Sequence, residues 1–174
     1  LLVLIEATWL GAWMAVLAGL AVEVLFERIQ AAWLRIGIIT LLLLPGIAAY
    51  IQLHPFEYAY YNQFSGGVQQ AAARFETDYW LTCYKQAMEK AAPLASVNPE
   101  IFVRRDGYIA SFYAVPGITV IDGSNSKAVP QMGQYVLDAS RANPAIQKHA
   151  GNRNYIVIER QGAVFCIIYV KTTP

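Results

Sequence analysis

Charge is scarce in this chain. Asp, Glu, Lys and Arg make up 14% of its 174 residues and nearly cancel, leaving a formal net charge of +1. That balance leaves no basic stripe for a phosphate backbone, so no nucleic-acid partner is expected. Histidine is scarcer still. His54 and His149 are too few and too isolated for a histidine-based metal site, and no metal or other cofactor is expected here. The two cysteines, Cys83 and Cys166, lack the close spacing of a metal or redox motif. They read as two buried thiols, with a disulfide between them as the alternative in an oxidising compartment. No Gly-x-Ser-x-Gly elbow occurs, and Gly66-Gly67 has no following lysine and no preceding strand. Neither a self-contained serine hydrolase nor a phosphate loop is indicated. A basic leader ahead of the first apolar run is also missing. With no initiating methionine, the start reads as a cut through a longer protein of which this is a C-terminal piece.

What fills the chain instead is apolar. Hydrophobic residues reach 56%, too many for a purely water-soluble protein of this length. They are concentrated at the start, and a membrane span needs about 20 mostly apolar residues. Leu1–Phe26 is the first span, free of charge from Ala7 to Val22. Its Ala7, Gly11, Ala15 and Gly19 form a small-residue stripe on which another helix can pack closely. Glu27–Ala32 is a tight connection. Ile36–Leu53 is the second span, without a charge and kinked or loosened at Pro45-Gly46. Arg28 and Arg35 favour a cytoplasmic position for the connection. The second span then leaves the membrane on the far side, and everything after His54 is extracytoplasmic.

Composition divides the chain into two C-terminal transmembrane helices over 1–53, an aromatic interfacial joint with a helix over 54–94, and a small extracytoplasmic α/β domain over 95–174. The joint carries eight aromatics from Phe56 to Trp80. Tyr58, Tyr60, Tyr61 and Phe64 suit a membrane surface, where one end of a ring is apolar and the other wet. His54-Pro55 reads as a helix start, and Ser65-Gly66-Gly67 as that helix's end. Arg74–Trp80 fits either a strand or a helix. Thr82 is placed to cap a helix over Cys83–Ala92, with Tyr84, Ala87, Met88 and Ala91 as its apolar stripe. Beyond it the pattern predicts strands at Ile101–Arg104 and Gly117–Ile121, with a short helix at Tyr108–Ala114 between them. A helix over Pro130–Ala142 follows, then a hairpin of Asn154–Glu159 and Ala163–Lys171 around Gln161-Gly162. The order β-α-β-α-β-β gives a small α/β domain with a mixed sheet and a C-terminal hairpin. Asp106 and Asp122 each follow a strand, where α/β sheets hold ligands, but each also precedes a glycine in ordinary turn chemistry. Asp122-Ser124-Asn125 lacks the acidic residues of a calcium loop.

The chemistry-bearing candidates lie in the joint. Glu76 and Asp78, beside Arg74 and Trp80, are the best carboxylate pair in the chain. Such a set can tune acid or base strength. The alternative is a salt-bridged joint that only positions the domain. The same stretch carries a resemblance, in His54-Pro55-Phe56-Glu57-Tyr58, Tyr60-Tyr61-Asn62, Gly66-Gly67 and Phe75-Glu76-Thr77-Asp78-Tyr79-Trp80. This block resembles one in bacterial multi-spanning glycosyltransferases of the GT-C group. These are family 39-like and related to the dolichyl-phosphate-mannose protein mannosyltransferases. The likeness extends from about Leu41 through the hairpin Tyr155–Val164.

The resemblance implies an integral enzyme of the plasma (inner) membrane that moves a sugar from a polyprenyl-phosphate carrier to an extracytoplasmic acceptor. Its partners would be the lipid bilayer, the remaining transmembrane helices and the polyprenyl-phosphate sugar donor. It also implies a catalytic aspartate upstream of Leu1, so no catalytic residue is assigned within this chain. Leu81-Thr82-Cys83 departs from the block, which leads one to expect a Gly-x-Ser-like helix start there. The reading from a different class is a membrane-anchored, non-catalytic extracytoplasmic binding domain.

Overall fold

The computed structural model describes residues 2–62, 66–97, 99–124, 129–141, 143–149 and 155–172, with residues 2–11 as backbone alone. The chain divides into two compact units, Leu1–Ala48 and Ala49–Pro174.

The first unit is helical. Helix α1 (Leu2–Arg28) and helix α2 (Ala32–Leu53) stand where the apolar runs predict them, separated by three residues. Arg35 fastens this connection, its Nε donating to the Ile29 carbonyl at 2.6 Å. A carbonyl past the end of α1 thereby gains a partner that no helical turn supplies. Helix α2 continues through Pro45 rather than ending there. No described side chain between Ala12 and Ala48 is buried. Among the described residues α2 alone is long and apolar enough to cross a membrane, with 22 residues at a mean hydropathy of 2.1. Of the two spans expected, α2 is the one that meets this length and composition among the described residues. Helix α1 is 27 residues long, with Glu23, Glu27 and Arg28 in its final turns.

The second unit takes in the last turn of α2, where Ala49 and Leu53 become buried. After a cis His54–Pro55 bond come a single 3-10 turn (Glu57–Ala59), helix α3 (Gly67–Ala72) and helix α4 (Cys83–Ala91). Strand β1 (Glu100–Val103), helix α5 (Gly107–Tyr113) and strand β2 (Thr119–Asp122) form a parallel βαβ unit. Strands β3 (Tyr135–Ala139), β4 (Ile156–Arg160) and β5 (Ala163–Val170) complete a mixed sheet in the order β2-β1-β3-β5-β4. Strand β3 runs parallel to β1 and antiparallel to β5. Helices α3, α4 and α5 cover one face through a core that includes Tyr84, Met88, Ile101, Leu137 and Phe165. A 3-10 helix (Pro144–His149) covers part of the other, with Ile146 against Val164 and Ile167. Each large side chain fully buried in these layers contributes about 1.5–3 kcal/mol. Tyr84 keeps its hydroxyl satisfied by donating to the Arg105 carbonyl at 2.7 Å.

Three expectations are corrected here. The helix over Pro130–Ala142 is strand β3. Its Met132, Tyr135, Val136 and Ala139 fit a helical spacing, but Gly133 has φ 80° and the residues after it pair on both sides. In a central strand both faces are covered, so period-2 alternation vanishes. Secondly, His54-Pro55 opens only the 3-10 turn, and Gly66 precedes a helix instead of closing one. Finally, Arg74–Trp80 is neither strand nor helix but a series of turns and bends. The predicted hairpin is present, with Gln161 at φ 49° and Gly162 at φ 76°. Two positive φ values match the twist of the strands they join.

Hairpin β4–β5 grips the segment that leaves α2. Arg160 donates to the His54 carbonyl at 3.0 Å and to Gln86 at 3.1 Å, and Gln161 donates to Gln52 at 3.1 Å. Phe56 stacks on Phe165 with centroids 4.5 Å apart. A register shift opposite Ile158 and Glu159 leaves Phe165 as an extra residue on β5. Such a bulge re-aims side chains. Phe165 and Cys166 consequently join the same core cluster, and Cys166 pairs with Cys83 of α4 as a disulfide. The two-thiol reading of the cysteines gives way to its alternative.

Candidate functional site

The joint is organised by Asp78. Its side chain is wholly buried, and four donors converge on it. The Thr82 amide and hydroxyl each donate to Oδ1 at 3.0 Å, the Cys83 amide donates to Oδ2 at 2.9 Å, and the Tyr58 hydroxyl donates to Oδ1. The exposed N–H groups at a helix start need acceptors, and a carboxylate there also meets the positive end of the helix dipole. Asp78 therefore caps α4, and Thr82, in the cap position, makes no side-chain cap of its own. Burial first, and then the nearby Asp78, push the Tyr58 phenol above its ordinary range, so it stays a donor. Leu81 carries a positive φ of 57° and is fully buried. That backbone favours glycine, the residue the resembling block leads one to expect there.

The other residues of the expected set stay outside. Arg74, Glu76 and Trp80 are exposed on the turns that lead into Asp78. No ion pair joins Arg74 to Glu76 or Asp78 among the described residues. Tyr79 is held instead, its carbonyl accepting from Arg141 at 2.8 Å and its ring lying 4.0 Å from that guanidinium. Of the interfacial aromatics, Tyr58 and Tyr60 are exposed in part, and Tyr61 stacks on Phe75 at 6.1 Å. Phe64 lies outside the described residues.

Asp106 and Asp122 meet at the carboxyl ends of β1 and β2. Asp106 occupies the cap position of α5 without capping it. Asp122 takes that role from across the turn, accepting from the Gly107, Tyr108 and Ser124 amides and from the Ser124 hydroxyl. These contacts, the hydroxyl foremost, hold its carboxylate below the ordinary value. A side chain on Gly107 would come within 2.8 Å of Asp122, so the close approach requires glycine. Both aspartates thus serve turn and cap geometry. Asp106 also lies 3.5 Å from Arg105 and 3.9 Å from Arg141.

Sequence reasoning missed Asp138 altogether. It lies on β3 between Leu137 and Ala139, which face the helices, so its own side chain faces the other side of the sheet. It is 1% exposed. Its Oδ2 accepts from Arg104 Nε and from Asn143 Nδ2, each at 3.0 Å, while Oδ1 has no partner. Burial outweighs those two donors and the nearby Ala139 amide, and pushes the carboxyl above its ordinary value. Arg104 also donates to the Tyr169 hydroxyl at 3.1 Å. The available signal was an acid inside a strand-length run, Tyr135–Ala139, next to Gly133. Among the described residues no three His, Cys, Asp or Glu side chains gather as a metal site would require.

Comparison with family models, with curated proteins and with solved structures gives no match for this chain.

Proposed function

We propose that this chain forms the membrane exit and extracytoplasmic part of an integral membrane glycosyltransferase that takes its sugar from a polyprenyl-phosphate carrier. The observation that carries the reading is the passage from α2, apolar and unburied over nearly its whole length, straight into a unit closed by the Cys83–Cys166 disulfide. Disulfides persist in oxidising compartments, which supports an extracytoplasmic second unit. The reading is also supported by the residues of the resembling block, which work on one another. His54 pairs with Glu57, Phe56 meets the hairpin, and Tyr58 joins Asp78.

In this scheme Asp78 is a positioning residue. Arg74 is free to hold a carrier phosphate through paired hydrogen bonds, Glu76 to bind sugar hydroxyls, and Trp80 to stack on the ring. The catalytic aspartate, by the resemblance, lies N-terminal to Leu1, and both α1 and α2 span the membrane.

Sugar transfer from a polyprenyl-phosphate donor, measured in membranes carrying the protein, tests the reading. Glu76→Gln and Trp80→Ala should each lower transfer about tenfold or more with melting unchanged. Activity that falls only in proportion to folded protein would end the substrate-contact role. Topology is tested separately with Met132→Cys, whose parent side chain is 66% exposed. An impermeant thiol reagent should label it in intact cells, and protection until lysis would place the unit in the cytoplasm. A non-catalytic, membrane-anchored binding domain is the second reading, favoured by the pocket beside Asp138.

A further inference from the structure

Strands β3 and β5 and the 3-10 helix Pro144–His149 border a half-open cavity of about 140 Å³ on the sheet face opposite α4 and α5. Asp138, Lys148, His149, Tyr155 and Tyr169 line it, over a floor of Ile146 and Ile167. We propose that this cavity binds a neutral sugar ring, with the free oxygen of Asp138 accepting from its hydroxyls and the tyrosines receiving its apolar face.

The first support is the orphan oxygen. A buried carboxylate oxygen without a donor is costly, and Asp138 Oδ1 has none although Oδ2 has two. Oδ1 itself has almost no accessible area, so a ligand hydroxyl meets it once the Asp138 side chain turns toward the adjoining cavity. The second is the wall. The Tyr155 ring lies 5.0 Å from that of His149 and 5.7 Å from that of Tyr169, which makes a continuous aromatic surface. Tyr169 already accepts from Arg104, so its own hydroxyl proton is left to donate to a ligand oxygen.

Charge selects the ligand class. Arg104 offsets Asp138 at 3.0 Å, and Lys148 adds a second cation at the rim. An ammonium ligand would meet both cations, and an anion would meet the carboxylate face on. A polyhydroxylated ring with one C–H face avoids both conflicts. The site is also held open in advance. The Gln147 amide donates to the Val164 carbonyl at 2.7 Å and accepts from its N–H at 2.9 Å, which pins the 3-10 helix to β5. Binding then requires little reordering. The inference does not depend on the transferase reading, because it needs neither a lipid carrier nor a transfer step.

The test uses the whole chain in detergent, titrated with methyl α-mannopyranoside and methyl β-glucopyranoside and followed by ligand-observed saturation-transfer NMR. At least one glycoside should bind with a millimolar dissociation constant. Tyr155→Ala should weaken it about tenfold with melting unchanged, and Asp138→Asn should weaken it by a similar factor. Should Asp138→Asn fail to fold, Tyr155→Ala and Tyr169→Phe carry the test by themselves. Absence of saturation transfer from both glycosides overturns the proposal. So does equal binding to Tyr155→Ala, or tighter binding of methylammonium than of either glycoside. Glycoside binding by a protein inactive in sugar transfer would uphold this site while removing the transferase reading.

Discussion

Asp78 and Asp138 are both shut off from solvent, at 0% and 1% exposure, yet they are built for different ends. Asp78 sits in a turn, and both of its oxygens are taken up by donors from α4 and from Tyr58. Asp138 sits in a central strand, with one oxygen bound to Arg104 and Asn143 and the other bare. Burial alone does not separate a structural acid from a receptive one. The count of donors on each oxygen does. Asp78 was reachable from sequence as a charged residue among aromatics, and its geometry is that of a bracket. Asp138 was concealed, and its geometry is that of a socket.

The largest effect should come from cutting the bond beside the bracket. Replacing both Cys83 and Cys166 with alanine opens a loop spanning 83 positions, and denaturant unfolding of the second unit should show a loss of about 4 kcal/mol. A loss below about 1 kcal/mol would mean that the bond contributes little to holding α4 on β5. Asp78→Ala comes next. It strands the donors of Tyr58, Thr82 and Cys83, and the same measurement should record a loss of about 3 kcal/mol. Tyr58→Phe removes one of those donors and should cost about 1 kcal/mol. If the two substitutions cost the same, Asp78 would not be the shared acceptor.

The smallest change belongs to the socket. A carboxyl raised by burial favours its protonated form in the folded state. The stability it contributes is fully present below its unfolded value of about 4 and is lost as pH rises through the folded one. Asp122, held low, has the opposite sign, contributing stability above its unfolded value and losing it as pH falls. Asp138→Asn should therefore remove the downward slope above pH about 4 and leave the acid limb, with a neutral-pH change within about 1 kcal/mol. An unaltered slope would show that Asp138 is ionised throughout.

Elements whose pattern repeats locally were legible. Helix α2, strands β1 and β2, helix α5 and the β4–β5 hairpin appear close to their expected bounds, because apolar runs and the Gln161-Gly162 turn are nearest-neighbour information. Strand β3 was not. Its apolar positions satisfy a helical period, and only its neighbours β1 and β5 make an extended form preferable. The loss of β3 concealed Asp138, which has meaning only as the odd residue on a strand. The Cys83–Cys166 pairing was illegible for a similar reason, since it depends on a bulge that brings Cys166 over α4. At Asp78 the residue was found and the role was not. A carboxylate five positions before a helix start differs from a substrate ligand only once the turn between them is known.

The bulge at Phe165 has a consequence for the order of events during synthesis. Strand β5 lies between β3 and β4, so β4 cannot join the sheet until residues 163–170 exist. The same eight residues bring Phe165 to Phe56 and Cys166 to Cys83. As the chain emerges, everything from the end of α2 to β4 must therefore wait, with the places of Phe165, Cys166 and Ile168 in its core unfilled, for one late stretch to arrive. A single additional residue in that stretch lets sheet closure, disulfide formation and docking of the α2 exit occur as one step.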